Sequence, residues 1–279
     1  MKLVTHTGEL SRRWDDLVAV RMIAAAGFDA FDISMDAANH PILEEGYLDH
    51  AKAVRAVAHE CGIPCVQAHS PFGKIVCNED FAHYVSLHRR AIEICHVLEC
   101  ETLIVHPGNN YGAAENYEKI YAKLLPEAER LGVRLATENM WNRDPITNIP
   151  YPAACGTVED FCAHVDMAHS PHLTACVDIG HAEMPGAPGA GTLIRGLGKE
   201  RVGCLHVQDV DKINDSHTLP FLGKIDWEDV IAALREIGYE GNFTYEVHKY
   251  LKGYPNELIP AALTHMETVG RYLIRRITE

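Results

Sequence analysis

Residues 205–217 read LHVQDVDKINDSH: an apolar run that turns abruptly polar, with His206, Asp209, Asp211, Asp215 and His217 in close succession. A strand that ends in imidazoles and carboxylates is poor core material. These are oxygen and nitrogen donors with no thiolate among them, the set that hard and borderline divalent ions prefer. Other strand-like runs end the same way. They exit at His6, at Asp32 and Asp36, at His69, at His106, at Glu138-Asn139, at Asp178 and His181, and at Glu246 and His248. A lone histidine such as His6 or His248 is more often solvated or hydrogen-bonded than a ligand, and Asp32 and Asp36 can equally cap or turn the chain. Glu138 and Asp178 differ, because each closes a nearly apolar run where a carboxylate without a partner is costly. With no CxxC pair, cysteine cluster or serine nucleophile elbow in the chain, metal chemistry leads.

The elements that must position these residues alternate from end to end. Short β-branched runs at 3–5, 30–34, 64–68, 102–106, 134–138, 173–178, 202–207 and 242–247 are separated by stretches of helical period. The helical stretches are 14–26, 47–61, 79–98, 114–131, 158–168, 193–197, 227–237 and 257–277. Thr157 and Asp226 precede helical runs with an acidic residue three positions on, as capping signals do. Gly27, Gly62, Gly132 and Gly238 follow helical segments where a positive φ is wanted. Pro126 is expected to kink or restart its helix. Eight strand–helix units in 279 residues predict an α/β fold, a single (β/α)8 TIM barrel spanning 1–279. Neither a GxGxxG stretch nor a Walker loop follows any strand, which weakens the open-sheet alternative. In such barrels the strand exits ring one mouth, so residues far apart in sequence converge there.

The net charge of −14 offers no basic stripe for a nucleic acid, which makes that partner unlikely. The nine cysteines form no disulfide-like framework, and several sit in apolar runs as small buried hydrophobes. No apolar stretch is long enough to span a bilayer, and the N-terminus lacks the apolar core of a signal peptide. These features predict a reduced, cytoplasmic protein with no membrane partner. The oligomeric state is left open, a homo-oligomer included.

Taken together, HSP at His69, HPG at His106, TEN at Glu138, VDIGH at 178–181, HVQD at His206, DSH at 215–217 and YEVH at Glu246 resemble the xylose isomerase-like TIM-barrel superfamily. That superfamily joins sugar isomerases and epimerases to endonuclease IV-type apurinic endonucleases. The resemblance covers essentially the whole chain, and it is the joint pattern rather than any one motif that is specific. It implies that Glu138, Asp178, His206 and Glu246 hold one divalent ion (Mn, Mg, Co or Zn), as in the sugar-acting members. It also implies a larger set, adding His69, His106, His181, Asp215 and His217, that holds three zinc ions in the endonuclease-like members.

VDIGHAEM departs from the corresponding endonuclease stretch, and SPFGKIV after His69 lacks an aromatic-rich recognition segment. LPFLGKIDW instead resembles the Gly-x-Ile-Asp-Trp stretch of sugar isomerases and epimerases. The expectation is therefore a metal-dependent isomerase or epimerase of a sugar or sugar derivative. Its ion would stabilise an enediolate while Glu138 and Glu246 move protons and His181 binds or polarises a substrate oxygen. Trp141 and Phe72 are expected to contact substrate, with Trp14 and Tyr111 as further candidates for the pocket wall. Lys212 could reach a substrate oxygen, against a competing reading as a solvated loop lysine, and Trp227 is expected to pack at a helix start. The alternatives are a multi-zinc phosphodiesterase or apurinic endonuclease, a metal-dependent lyase or dehydratase of the same fold, and a non-catalytic sugar-binding barrel.

Overall fold

The computed structural model describes residues 1–36, 40–72 and 78–279. The second half of the SPFGKIV stretch lies outside them. Eight parallel strands form the barrel: β1 (Leu3–His6), β2 (Ala30–Ser34), β3 (Cys65–His69), β4 (Thr102–Val105), β5 (Arg134–Glu138), β6 (Leu173–Asp178), β7 (Val202–His206) and β8 (Phe243–Tyr245). They pair in the order β8-β1-β2-β3-β4-β5-β6-β7. The ring closes through a single bridge between Val207 and Tyr245. There Val207 N–H donates to Thr244 O (2.8 Å) and Glu246 N–H to Val207 O (3.0 Å). Because helices cover the outside of the ring, β1, β2, β4 and β6 are buried at every position. This is why they read as continuous apolar runs in the sequence.

Side chains alternate along a strand, and this alternation builds the site. Ile104, Ala136, Cys176 and Cys204, from β4 to β7, form a small buried apolar cluster separate from the main core. Two residues further along each chain segment stand His106, Glu138, Asp178 and His206. The apolar cluster is the floor beneath half of the polar mouth.

The caps form as expected. The Thr157 hydroxyl accepts from Asp160 N–H and the Asp226 carboxylate from Glu228 and Asp229 N–H. Gly62 and Gly132 end their helices in the left-handed conformation. The expectation for Pro126 is corrected: the helix Ala122–Leu131 runs through it, and the irregularity lies upstream, in one wide π turn over Tyr117–Tyr121. A proline ring crowds the preceding turn, and a locally widened turn relieves that crowding. The C-terminal helix Ile259–Thr278 packs over β1 at Gly270, where a β-carbon would lie 2.4 Å from Leu3 Cδ1. After β5 the chain makes a two-stranded antiparallel hairpin, Trp141–Arg143 with Pro150–Pro152, that the sequence pattern did not announce. Asp144 ties its turn by accepting from Ile146 and Thr147 N–H. Among the described residues no helix is long and apolar enough to cross a membrane.

Candidate metal centre

His206, fully buried at the end of β7, is the hub of the mouth. Its Nδ1 lies 3.2 Å from Glu138 Oε1 and 3.4 Å from Glu246 Oε2. Glu138 Oε2 lies 3.1 Å from His106 Nε2, and Glu246 Oε1 lies 3.5 Å from His69 Nε2. The two glutamates, one at the end of β5 and one just beyond β8, thus converge on one imidazole. Donor atoms bonded at about 2.0–2.1 Å to a tetrahedral ion stand roughly 3.3 Å apart, and these separations match that spacing. Glu138 Oε2 is buried with no hydrogen-bond partner. Orphaned polar atoms are rare without a missing partner, so the donor set fits a divalent cation.

Asp178 sits beside this hub in register with His206. Its Oδ1 accepts from His181 N–H (2.6 Å), and Asn139 clamps its backbone from both sides, accepting from Asp178 N–H and donating to Asp178 O. His181 Nδ1 lies 2.9 Å from Asn139 O and His217 Nδ1 lies 3.0 Å from Glu246 O. A carbonyl only accepts, so both Nδ1 atoms carry protons, and each Nε2 is left to donate when the ring is charged or to offer a lone pair when it is neutral. Those two Nε2 atoms face Asp215, at 3.7 Å from Oδ1 and 2.7 Å from Oδ2. His69 follows the same rule, its Nδ1 at 3.0 Å from Ser70 O. Candidate ligand atoms of His69, His106 and Glu138, of His69, His206 and Glu246, and of His181, Asp215 and His217 lie within 4.8 Å of one another in each trio.

Gln208, to which the sequence reading gave no role, joins the inner and outer sets. Its Nε2 donates to Asp178 Oδ2 (3.0 Å) and Asp215 Oδ1 (3.1 Å), and its Oε1 accepts from His217 N–H (2.9 Å). Gly180 makes room for it, since a β-carbon there would lie 2.6 Å from Gln208 Cδ. The complete burial of Gln208 just beyond a strand shows only in the structure. Gln208→Leu is expected to cost the metal-free protein about 1–3 kcal/mol for each carboxylate left without its donor, read by urea denaturation. A change under about 0.5 kcal/mol, the range of an ordinary surface substitution, would refute the bridging role.

The charges are interdependent. Burial alone would raise Glu138, but His206 and His106 outweigh it and hold the carboxyl well below its usual range. Glu246 is pushed up to about 8, by burial first, with Glu138 and Asp178 adding to it against His206 and His217. Burial opposes a charge on His206, yet Glu246 and Glu138 raise it well above the ordinary value. Burial likewise opposes His217, which Glu246 and Asp215 lift to about 9. His69 falls to about 3 through burial and the nearby His106 and His206.

The linkage has a definite sign. Raised groups contribute stability that is complete below their unfolded pKa; for Glu246 and His217 it drains away as pH climbs through about 8 and about 9. The depressed Glu138 and Asp215 lose theirs as pH falls, and His69 adds a penalty as pH falls from 6.5 toward about 3. The metal-free protein is therefore expected to melt at lower temperature at pH 9 than at pH 6. A saturating divalent ion should flatten that slope by supplying the positive charge the protons supplied. Thermal unfolding at pH 6, 7.5 and 9, with and without chelator, checks this; equal slopes would refute it.

The remaining candidates fall in place around the mouth or outside it. Phe72 is exposed and stands edge-on to His106, ring centroids 5.1 Å apart. Trp141, on the hairpin, lies 6.5 Å from the His181 ring, and the Arg143 guanidinium stands over the Trp141 ring, 5.1 Å from its centroid. Lys212 is held by Glu183 at 2.6 Å. Tyr111 packs on Phe81, and Trp14 is exposed at the end of the helix Gly8–Arg13. Trp227 is structural: its indole N–H donates to Asp209 Oδ2 (2.9 Å), whose carboxylate also accepts from Val210, Phe221 and Ile225 N–H. Asp211 likewise serves a turn, accepting from Ile213 and Asn214 N–H. His6 and His248 stand at the β1 and β8 exits, 6.2 Å apart by ring centroid. Asp36 pairs with Arg12 at 2.8 Å.

These features define a closed parallel (β/α)8 barrel whose C-terminal mouth is lined by carboxylates and imidazoles. The chain belongs to the xylose isomerase-like TIM-barrel family, whose model matches residues 20–269. It is 29% identical over 195 residues to an uncharacterised protein of Methanocaldococcus jannaschii, a match covering 66% of this chain and 60% of that relative's length. Among solved structures it resembles a D-tagatose 3-epimerase-like protein, at 20% identity and a TM-score of 0.76 over 100% of this chain and 98% of the other. A D-psicose 3-epimerase crystallised in the presence of D-fructose aligns at 17% identity and TM-score 0.72, covering 98% and 99% of the two chains. The IolI protein with a bound zinc atom aligns at 17% identity and TM-score 0.70 over the same shares. At such identities the likeness speaks to the fold.

Proposed function

We propose that this protein is a divalent-metal-dependent isomerase or epimerase of a sugar or sugar derivative, working through an enediolate by carboxylate proton transfer. The observation that carries the reading is the convergence of Glu138 and Glu246 on His206 Nδ1. Glu138, Asp178, His206 and Glu246 would hold one Mn, Mg, Co or Zn ion, which supplies Lewis-acid polarisation of a carbonyl and its neighbouring hydroxyl. Glu138, ionised, takes the proton from the carbon beside the carbonyl, and the electron pair moves to the carbonyl oxygen. Glu246, protonated, returns a proton to that carbon or its neighbour. The two carboxyls end the turnover with their protonation exchanged. His181, its Nδ1 fixed by Asn139 O, orients a substrate oxygen through Nε2, while Trp141 and Phe72 shield the pocket from water. An epimerase-like neighbour, an epimerase crystallised in the presence of D-fructose and a neighbour with a bound zinc atom support this assignment.

A second reading has its own observation. The outer trio His181, Asp215 and His217, with carbonyls fixing both imidazoles, fits a further ion, and so does His69 with His106 and Glu138. Up to three zinc ions would suit a phosphodiesterase of the endonuclease IV type. Metal content after chelation and reloading, with a ketose panel incubated in D2O, separates the two. About one ion per chain with solvent deuterium entering a sugar supports the isomerase; about three zinc ions, no exchange and cleavage of abasic DNA would replace it.

A further inference from the structure

On the side of His206 away from the two glutamates lies a polar file that the proton chemistry does not use. The Thr244 hydroxyl donates to Gln67 Oε1 (3.2 Å), and Gln67 Nε2 donates to Asp32 Oδ2 (2.9 Å). That same carboxylate oxygen lies 3.9 Å from His206 Nε2. The four residues come from β8, β3, β2 and β7, and none is more than 1% exposed. Alternation along the strands puts Thr244 two residues before Glu246 and Gln67 two residues before His69, so the file continues the apolar floor around the other half of the ring. Polar groups at that depth are costly unless each finds a partner. Asp32 Oδ1 and His206 Nε2 are buried atoms that still lack one.

The direction of the file is fixed from its far end. A threonine hydroxyl that donates to Oε1 leaves the Gln67 amide nitrogen turned toward Asp32, and an amide nitrogen only donates. Asp32 is thereby oriented as an acceptor, and the group in front of it is His206 Nε2. A neutral imidazole carries one proton and one lone pair. We propose that Asp32, oriented by Gln67 and Thr244, is a positioning residue that keeps the His206 proton on Nε2 and so reserves the Nδ1 lone pair for a cation between Glu138 and Glu246. Metal-binding imidazoles generally use their second nitrogen in this way, and losing the outer partner costs about 10–100-fold in metal affinity. This inference rests on the proposed metal site.

The test uses zinc alone as probe. Isothermal titration of the full chain should show saturable binding, about 10–100-fold weaker in Asp32→Ala. Asp32→Asn, which keeps an oxygen facing the imidazole, should recover part of that loss. In the zinc-loaded wild-type protein, long-range 1H–15N spectra should place the His206 proton on Nε2. Unchanged affinity in folded Asp32→Ala overturns the positioning role while leaving the metal site standing, and a proton on Nδ1 overturns that role together with His206 Nδ1 as a ligand. If Asp32→Ala does not fold, the wild-type tautomer decides. Absence of saturable binding to the wild-type protein overturns the metal site and this role together.

Discussion

Glu246→Gln is expected to stop hydrogen exchange at the substrate carbon while leaving the barrel folded. Glutamine matches the shape of the protonated glutamic acid but neither gives nor takes a proton at neutral pH. A positioned acid or base is worth about 10²–10⁴ in rate, so turnover should fall by at least that much. D-Fructose in D2O, followed by proton NMR, is a suitable first probe, because a structural neighbour was crystallised in its presence. The variant should also hold its stability better in alkali when metal-free, since the carboxyl pushed up to about 8 no longer ionises in a buried site. Deuterium entering at the wild-type rate would refute the acid–base assignment, and an unchanged alkaline slope would refute the charge balance beneath it.

His206→Ala should have the other large effect. It removes the imidazole shared by both glutamates, which is a heavier loss than an outer partner, so metal affinity should drop by more than about 100-fold. For the wild-type protein an ion at about 100 times its Kd adds about 2.7 kcal/mol, or roughly 5–10 °C in melting temperature for a chain of this size. That increment should vanish in the variant. The metal-free variant should itself be about 3–5 kcal/mol less stable, because the buried Glu138 carboxylate loses the cation that balanced it. Calorimetry with and without zinc reads both effects. A variant that retains the metal-dependent increment would show that the ion sits elsewhere.

Much of this mouth was legible in the sequence because buried parallel strands read as unbroken apolar runs, against which a terminal carboxylate or imidazole stands out. Glu138, Asp178 and His206 were found on that contrast alone. Glu246 and the outer trio were equally visible, but their grouping depended on the ring closing. The hairpin after β5 escaped because its strands are three residues each and one of them contains two prolines, too short for any period to show. Gln208 and Gln67 escaped because an isolated glutamine resembles a surface residue until its neighbours are placed around it. Asp32 stands at a strand exit where a cap or turn is an equal reading, and only the register of β2 against β3 lowers it into the barrel beside His206. In the opening stretch, Asp209 and Asp211 have the right chemistry for an ion yet spend it on backbone N–H groups.

The closing joint between β7 and β8 is the thinnest in the ring, one bridge flanked by two amide bonds. His206 stands on one side of it and Glu246 on the other. An ion held by both would therefore act as a clasp, fastening the last strand of the chain to its neighbour. Slow amide exchange at Val207 and Glu246 would then depend on the ion rather than on the sheet, and the same pair of side chains would govern both the reaction and how long the barrel stays shut.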